Sequence, residues 1–159
     1  MGWMLAMPQS SQLGSPNTFV WDHTARAKEE IAAQYRQLLR KYPIDEERVI
    51  LSGFSQGAAL AIQIALRGPI PARGFLAVVP GRIAMEELDE LLLLKHGLRG
   101  YLVVGGRDPR YEMFTQIHAL LNQNGIPCEM EDHPQMGHEF PKDFDQSITK
   151  ALKFLLDKE

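Results

Sequence analysis

The sequence has little cysteine, little excess charge and no long apolar run, and each shortage excludes a class of protein. Its single cysteine, Cys128, can form no disulfide within the chain, and there is no cysteine pair to bind zinc. The 17 Lys and Arg against 20 Asp and Glu give a formal net charge of -3, which argues against a large nucleic-acid-binding surface. No apolar run is long enough to cross a bilayer, and the first seven residues have no basic start before Pro8. We therefore expect a cytoplasmic protein without a membrane span.

The composition is that of an ordinary globular protein. The chain has 159 residues, of which 45% are hydrophobic and 23% are charged. A chain of this length and composition can bury a core of its own, and disorder is not expected. No repeat or interdomain linker is visible, so we predict a single domain over residues 1–159.

Short apolar runs alternate with amphipathic stretches along the chain, which is typical of βα units and a mostly parallel sheet. The nearly continuous apolar character of Tyr101–Val104 indicates a strand covered by helices on both faces. We predict strands at Trp3–Met7, Arg48–Gly53, Gly74–Pro80, Gly100–Gly105 and Pro127–Asp132. We predict helices at Arg26–Tyr42, from the Gly53–Gly57 turn to Leu66, at Met85–Leu94, at Tyr111–Asn124 and from near Asp143 onward. The polar stretch Gln9–Thr18 is predicted to be a surface loop.

The most informative motif is Gly53-Phe54-Ser55-Gln56-Gly57, between a predicted strand and a predicted helix. This is the G-x-S-x-G pattern in the context that it requires. A serine at the apex of such a turn has a strained backbone, and glycines two residues to either side let the neighbouring chain pass closely. The turn also places Ser55 at a helix N-terminus, where the backbone N–H of Gln56 can stabilise a developing oxyanion.

A serine nucleophile needs a base, and that base needs a third group to orient it. In this architecture the acid and then the histidine follow the serine along the chain, each in a loop beyond a strand. Asp108 follows the strand predicted at Gly100–Gly105, and His138 follows the strand that ends near Asp132. We predict that Ser55, Asp108 and His138 form a catalytic triad.

Other histidines and acids were weighed for the same roles. His133 is the rival base, but it lies at the end of a strand rather than in the loop beyond it, and Asp132 is the runner-up acid. His23 precedes a helix and is expected to cap it or to lie on the surface. A metal site built from His133, His138 and Asp132 or Glu139 lacks any recognised zinc spacing, so no metal is predicted. No glycine-rich loop has the spacing of a nucleotide-binding motif either.

With these residues in place, the sequence resembles the α/β-hydrolase superfamily and, within it, the phospholipase/carboxylesterase branch that includes the acyl-protein thioesterases. Three stretches carry the resemblance, which extends over nearly the whole chain: Gly53-Phe54-Ser55-Gln56-Gly57-Ala58-Ala59-Leu60, Gly105-Gly106-Arg107-Asp108 and Gly137-His138-Glu139-Phe140-Pro141. It implies hydrolysis of carboxylic esters or thioesters through an acyl-enzyme, with no metal and no organic cofactor. Trp21-Asp22 is similar to a tryptophan-containing stretch beside the family's acyl site. Trp21 is therefore a candidate substrate-binding residue, with a plain core or surface tryptophan as the alternative.

The sequence departs from the family at its N-terminal end. Family members normally have three further strands before the one predicted at Trp3–Met7, and one of their loops carries a His-Gly-Gly or His-Gly-x motif that donates the second oxyanion N–H. No such motif precedes Ser55. The expected fold is therefore a truncated α/β-hydrolase with a mostly parallel sheet of about five strands and helices on both faces.

In the family's strand order the missing third strand lies between the fourth and the fifth, so the resemblance implies a gap in the middle of the sheet. Either Trp3–Met7 pairs directly with Val49–Leu51, or another chain fills the space. We expect a homo-oligomer, because unpaired strand edges favour association. A chain that is a fragment or that starts in the wrong place is a further alternative.

Two functions follow from these expectations. The first is a serine hydrolase for small ester or thioester substrates. The second is a binding or assembly module that keeps the serine turn but is impaired in catalysis. The loss of one oxyanion donor costs turnover about 100- to 1,000-fold, which leaves a weak esterase rather than an inert scaffold if the triad assembles. A dienelactone-type hydrolase would present cysteine where this chain has Ser55.

Overall fold

The computed structural model describes residues 2–86, 88 and 97–157. The chain divides into two compact units, Met1–Ile44 and Asp45–Glu159, and each is described by itself. The prediction of a single domain stays a prediction. No described helix is both long and apolar enough to cross a membrane.

The first unit contains a hairpin and a long helix. Strands β1 (Gln12–Ser15) and β2 (Thr18–Val20) pair antiparallel, and helix α1 covers Thr24–Lys41. The stretch predicted to be a loop therefore lies at the surface but contains a strand, because the Pro16-Asn17 pair turns the chain back on itself. His23 caps α1, its Nδ1 accepting a hydrogen bond from the backbone N–H of Arg26 at 3.3 Å, which confirms its predicted capping role.

The strand predicted at Trp3–Met7 is wrong. These residues form no strand, and the side chains of Leu5 and Met7 are 82% and 83% exposed. An apolar run becomes a strand only when a neighbour satisfies its backbone N–H and C=O groups, and no described strand pairs with this run. The proposed pairing of Trp3–Met7 with Val49–Leu51 is therefore wrong as well.

The second unit is built on four parallel strands in the order in which they occur along the chain. They are β3 (Ile50–Phe54), β4 (Gly74–Val78), β5 (Arg99–Gly105) and β6 (Cys128–His133). Each begins and ends within two residues of the bounds of a predicted strand, and the predicted α/β fold class is confirmed. The parallel sheet has four strands rather than about five because Trp3–Met7 does not join it.

Three described helices pack on this sheet. Helix α2 (Gln56–Arg67) contacts β3 and β4, α3 (Tyr111–Gln123) contacts β5 and β6, and α4 (Phe144–Leu156) contacts β4 and β5. A short 3-10 turn at Glu46–Arg48 precedes β3. The helix predicted at Met85–Leu94 lies largely outside the described residues. The bounds of the three helices agree with the predictions because each ends at a residue that breaks helices or caps them, such as Gly68, which has a φ of 76°.

The core lies between the parallel sheet and the three helices that pack on it. All five residues of β4 are buried, and α2 is buried from Ala58 to Leu66. A helix that is apolar on nearly every side and a strand without polar alternation both indicate coverage from two directions. The start of α2 and the carboxyl ends of the strands are therefore rigid supports for the residues that follow them.

Candidate active site

Ser55 occupies a sharp turn between β3 and α2. Its φ of 52° and ψ of -116° lie outside the regions that most residues adopt, and such backbone strain clusters at functional sites. A Cβ on Gly53 would lie 2.3 Å from the carbonyl carbon of Gly57, so only glycine fits at position 53. A Cβ on Gly57 would meet nothing within 4 Å, so the predicted need for glycine on both sides holds for Gly53 alone.

The end of β4 and the segment after it fix this turn from two directions. The backbone N–H of Ser55 donates to Val78 O at 3.0 Å, and the N–H of Gly81 donates to Ser55 O at 2.7 Å. Between these two bonds lies Val79, a fully buried β-branched residue with a φ of 37°. A positive φ at valine is rare and costs energy, so the surrounding bonds must hold this segment in place.

Two glycines bring the loop after β5 against the loop after β6. A Cβ on Gly105 would lie 2.4 Å from Gly137 O, and a Cβ on Gly106 would lie 2.9 Å from the Cα of Pro134. The backbone N–H of Gly106 donates to His133 O at 3.0 Å, and that of Arg107 donates to Met136 O at 2.9 Å. The loops that carry Asp108 and His138 are thereby joined.

Ser55, His138 and Asp108 meet in one line of hydrogen bonds. His138 Nε2 lies 2.8 Å from Ser55 Oγ, and His138 Nδ1 lies 2.7 Å from Asp108 Oδ2. With its proton on Nδ1, the ring donates to the carboxylate and accepts from the serine hydroxyl. This arrangement can take a proton from the hydroxyl while the carboxylate stabilises the charge that forms on the ring.

The carboxylate of Asp108 is fully buried, and a side chain that was not singled out in the sequence compensates it. Arg110 donates from Nε to Oδ1 at 2.9 Å and from Nη2 to Oδ2 at 3.0 Å. Its backbone N–H also donates to Oδ1 at 2.9 Å. Burial alone would raise the pKa of Asp108, but these bonds and that from His138 outweigh burial and lower it. The sequence signal for Arg110 was the Asp-Pro-Arg spacing, since an aspartate often bonds the backbone N–H two residues on.

Aromatic side chains lie beside the imidazole. The Phe54 ring centroid lies 5.1 Å from that of His138 and 4.4 Å from that of Phe140, and Phe140 also contacts Phe144 edge-on. Phe140 is 47% exposed. The sequence marked Phe54 and Phe140 only as members of the motifs around Ser55 and His138. Their rings form an apolar wall on one side of His138.

The rival residues have other partners. His133 faces Glu131, with Nε2 3.5 Å from Oε1, and Asp132 accepts a hydrogen bond from the Tyr111 hydroxyl at 2.8 Å. Neither takes part in the hydrogen bonds between Ser55 and Asp108.

The other predicted site residues lie as follows. Gln56 directly follows Ser55 as the first residue of α2. Trp21 is half-buried in the first unit, and its role at an acyl site stays a prediction. Within the described ranges, no three His, Cys, Asp or Glu side chains come together as metal ligands would.

Comparison with known proteins assigns the chain to a family. The sequence model of the phospholipase/carboxylesterase family matches residues 18–156, most of the chain. The chain belongs to this family. In the phospholipase/carboxylesterase family it is similar to a probable carboxylesterase of Oryza sativa subsp. japonica, with 27% identity over 119 residues. That match covers 69% of this chain and 42% of the Oryza sativa protein.

Solved structures share the fold of this family member. An uncharacterized protein from Bacillus cereus ATCC 10987 superposes with a TM-score of 0.90 at 33% identity, over 98% of this chain and 51% of that one. Acyl-protein thioesterase 2 of Zea mays superposes with a TM-score of 0.68 at 20% identity, over 86% of this chain and 67% of that one. The chain thus spans about half the length of the Oryza sativa and Bacillus cereus proteins.

Proposed function

We propose that this chain carries the catalytic residues of a serine hydrolase that cleaves carboxylic esters or thioesters through an acyl-enzyme. The observation that carries the proposal is the line of two hydrogen bonds from Ser55 through His138 to Asp108, 2.8 Å and 2.7 Å long. Membership of the phospholipase/carboxylesterase family supports the reaction class. The strained backbone at Ser55 supports the same assignment, since nucleophiles of this fold occupy such turns.

In the first half-reaction, Ser55 Oγ attacks the carbonyl carbon of the substrate. A bond forms between Oγ and that carbon while the hydroxyl proton passes to His138 Nε2. The carbonyl electron pair moves onto the oxygen, and the backbone N–H of Gln56 at the start of α2 stabilises the resulting oxyanion. When the tetrahedral intermediate collapses, the alcohol or thiol leaves with the proton that His138 held. Asp108 keeps the ring oriented throughout.

In the second half-reaction the same residues act on a water molecule. His138 removes a proton from a water molecule that attacks the acyl carbon, and it returns that proton to Ser55 Oγ as the acid leaves. The chain consumes one water for each ester bond cleaved and needs no redox partner. The apolar wall of Phe54 and Phe140 beside His138 favours an uncharged acyl group over a charged one at this point of the site.

A fluorophosphonate probe tests the proposal directly, because it phosphonylates only a serine that a neighbouring base activates. We expect one label per chain, at Ser55 by mass spectrometry, and none in Ser55→Ala. Ser52→Ala is the matched control, since Ser52 is an exposed serine on the same strand, and it should label like the parent protein. A folded parent protein that takes up no label would overturn the proposal.

The second candidate is a binding or assembly module with impaired catalysis. This candidate predicts no burst of p-nitrophenol from p-nitrophenyl acetate and no difference between the parent protein and Ser55→Ala. A burst that disappears in Ser55→Ala decides for the hydrolase.

Location and assembly follow the sequence-based expectations. We propose a cytoplasmic homo-oligomer that acts on small-molecule esters or thioesters, with Trp21 as a contributor to substrate binding. Trp21→Ala is then expected to raise KM for an acyl ester more than it lowers kcat. The supporting features are the net charge, the single cysteine and the position of β3 at one edge of the parallel sheet.

A further inference from the structure

We propose that Arg110 is a positioning residue, which holds the Asp108 carboxylate in the one orientation that serves His138; this inference rests on the proposed function. The motifs that identify Ser55, Asp108 and His138 assign no role to Arg110. It stands on contacts that the fold creates between the start of α3 and the loop after β5.

The contacts divide the two carboxylate oxygens between different partners. Oδ1 accepts from the backbone N–H and from Nε of Arg110, both at 2.9 Å. Oδ2 accepts from Arg110 Nη2 at 3.0 Å and faces His138 Nδ1 at 2.7 Å. A guanidinium fork that engages both oxygens prevents the carboxylate from rotating about its Cβ–Cγ bond. Oδ2 therefore stays directed at the imidazole.

The same guanidinium also touches the imidazole. Arg110 Nη2 is in contact with His138 Nδ1, so Asp108, Arg110 and His138 form a closed triangle of side chains. In this triangle the guanidinium's positive charge offsets part of the carboxylate's negative charge. The carboxylate side chain is 0% exposed, and an unpaired buried charge would be costly.

The charged groups around His138 come from three segments. Asp108 and Arg110 face Nδ1 from the loop after β5 and the start of α3, and Glu139 follows on its own loop, where Oε1 accepts from the backbone N–H of Gly137 at 3.5 Å. The Ser55 hydroxyl in the turn after β3 and the Phe54 ring at the end of β3 also contact the imidazole. Among the described residues, Arg110 is thus a cation that contacts the ring.

Arg110 lines an open cavity of about 600 Å³ with the exposed side chains of Arg82 and Glu112. Its own side chain is 27% exposed. Variants at this position can therefore be accommodated without filling the core. The backbone N–H of residue 110 continues to donate to Asp108 Oδ1 in all of them.

The first experiment measures the rate of fluorophosphonate labelling of Ser55 against pH in Arg110→Met and Arg110→Lys. In Arg110→Met we expect a loss of about 10- to 100-fold at the pH optimum, the loss that corresponds to one charge-assisted hydrogen bond. Arg110→Lys keeps the charge without the fork, so its rate should recover only in part.

Arg107→Met is the matched control, because Arg107 lies in the same loop and its guanidinium contacts Gln135 instead. It should label at the rate of the parent protein, and circular dichroism melts report whether each variant is folded. Labelling of Arg110→Met at the parental rate would overturn the proposal, as would an equal loss in Arg107→Met.

The second experiment does not depend on catalysis. The proton between His138 Nδ1 and Asp108 gives a strongly deshielded NMR resonance, which its disappearance in His138→Gln assigns. We expect this resonance to broaden or vanish in Arg110→Met and to be retained in Arg107→Met. A sharp, unshifted resonance in folded Arg110→Met contradicts the positioning role. If the parent protein takes no label, the proposed function fails, and the resonance alone decides on Arg110.

Discussion

At the scale of single residues, Gly105 sets the distance between two loops. Its missing side chain lets the carbonyl oxygens of Met136 and Gly137 approach to where a Cβ would be, at 2.5 Å and 2.4 Å. Backbone atoms cannot move away from such a close contact, whereas the end of a flexible side chain can. The position of His138 over Ser55 therefore depends on a residue that touches neither.

Gly105→Ala is expected to push the two loops apart. Overpacking of this kind costs about 1–3 kcal/mol, and a displacement of about 1 Å at the reacting groups can lower the rate about 100-fold. Urea unfolding and the rate of fluorophosphonate labelling measure the two effects. Gly137→Ala is the control for stability, because a Cβ there would meet nothing within 4 Å. If Gly105→Ala unfolds and labels like the parent protein, the contact does not matter.

The sequence pointed to some residues of the candidate site and not to others. Ser55 was predicted because its motif lies between a strand and a helix, and Asp108 and His138 because each follows a strand in the required order. Arg110 was missed because an arginine two residues after an aspartate is common, and only the fold turns its side chain back onto the carboxylate. Local spacing defines a turn, whereas pairing between side chains depends on how that turn is oriented.

At the scale of elements, β6 and α4 are joined through Glu131. Lys150 of α4 donates to Glu131 Oε1 at 2.6 Å, and the buried Tyr101 of β5 donates to Oε2 at 3.1 Å. Burial would raise the pKa of Glu131, but the hydrogen bonds from Lys150 and Tyr101 outweigh it and lower the pKa below its ordinary value of 4.5. This carboxylate ties the last strand to the last helix.

Glu131→Gln is expected to lower the free energy of unfolding by about 1 kcal/mol at pH 7. A lowered pKa contributes stability that is fully present above the unfolded-state value and is lost as the pH falls through the folded-state value. The difference between Glu131→Gln and the parent protein should therefore shrink below about pH 4. Urea titrations at several pH values measure it. Glu129→Gln, an exposed acid on the same strand, should change little at any pH, and a pH-independent deficit in Glu131→Gln would contradict the assignment.

Elements were predicted well where a described neighbour packs against them. Strand β5 and helix α3 were correct to within one residue, because apolar continuity and the flanking glycines Gly105 and Gly125 agree with the contacts that the fold provides. Trp3–Met7 has the same apolar character, yet it is not a strand. Its sequence could not show whether a partner strand is available to it.

At the scale of the whole molecule, β3 is one edge of the parallel sheet. Val49 O accepts from Arg73 N, and Ser55 N donates to Val78 O, so the odd-numbered residues of this segment face β4. By the alternation of a strand, the backbone N–H and C=O groups of Ile50, Ser52 and Phe54 point the other way. No described strand pairs with that side, which is why we expect a second copy of the chain to associate there.

Size-exclusion chromatography with light scattering should show more than one copy of the parent protein per particle. Ser52→Pro removes one outward N–H and leaves the hydrogen bonds to β4 intact, so it should shift the protein toward the monomer while preserving the fold. Leu51→Pro removes an inward N–H instead and should destabilise the sheet. A monomeric parent protein at all accessible concentrations would show that the homo-oligomer prediction is wrong.

The bonds between the loops after β5 and β6 affect how the site moves. The backbone N–H groups of Gly106 and Arg107 donate to the carbonyl oxygens of His133 and Met136. We therefore expect Asp108 and His138 to fluctuate together as parts of one rigid segment. Ser55 belongs to the turn that Val78 and Gly81 fix, so we expect it to move separately from Asp108 and His138. Thermal motion should then vary the Ser55–His138 distance more than the His138–Asp108 distance, so heating should first impair the nucleophile's contact with its base while the acid–base pair remains intact.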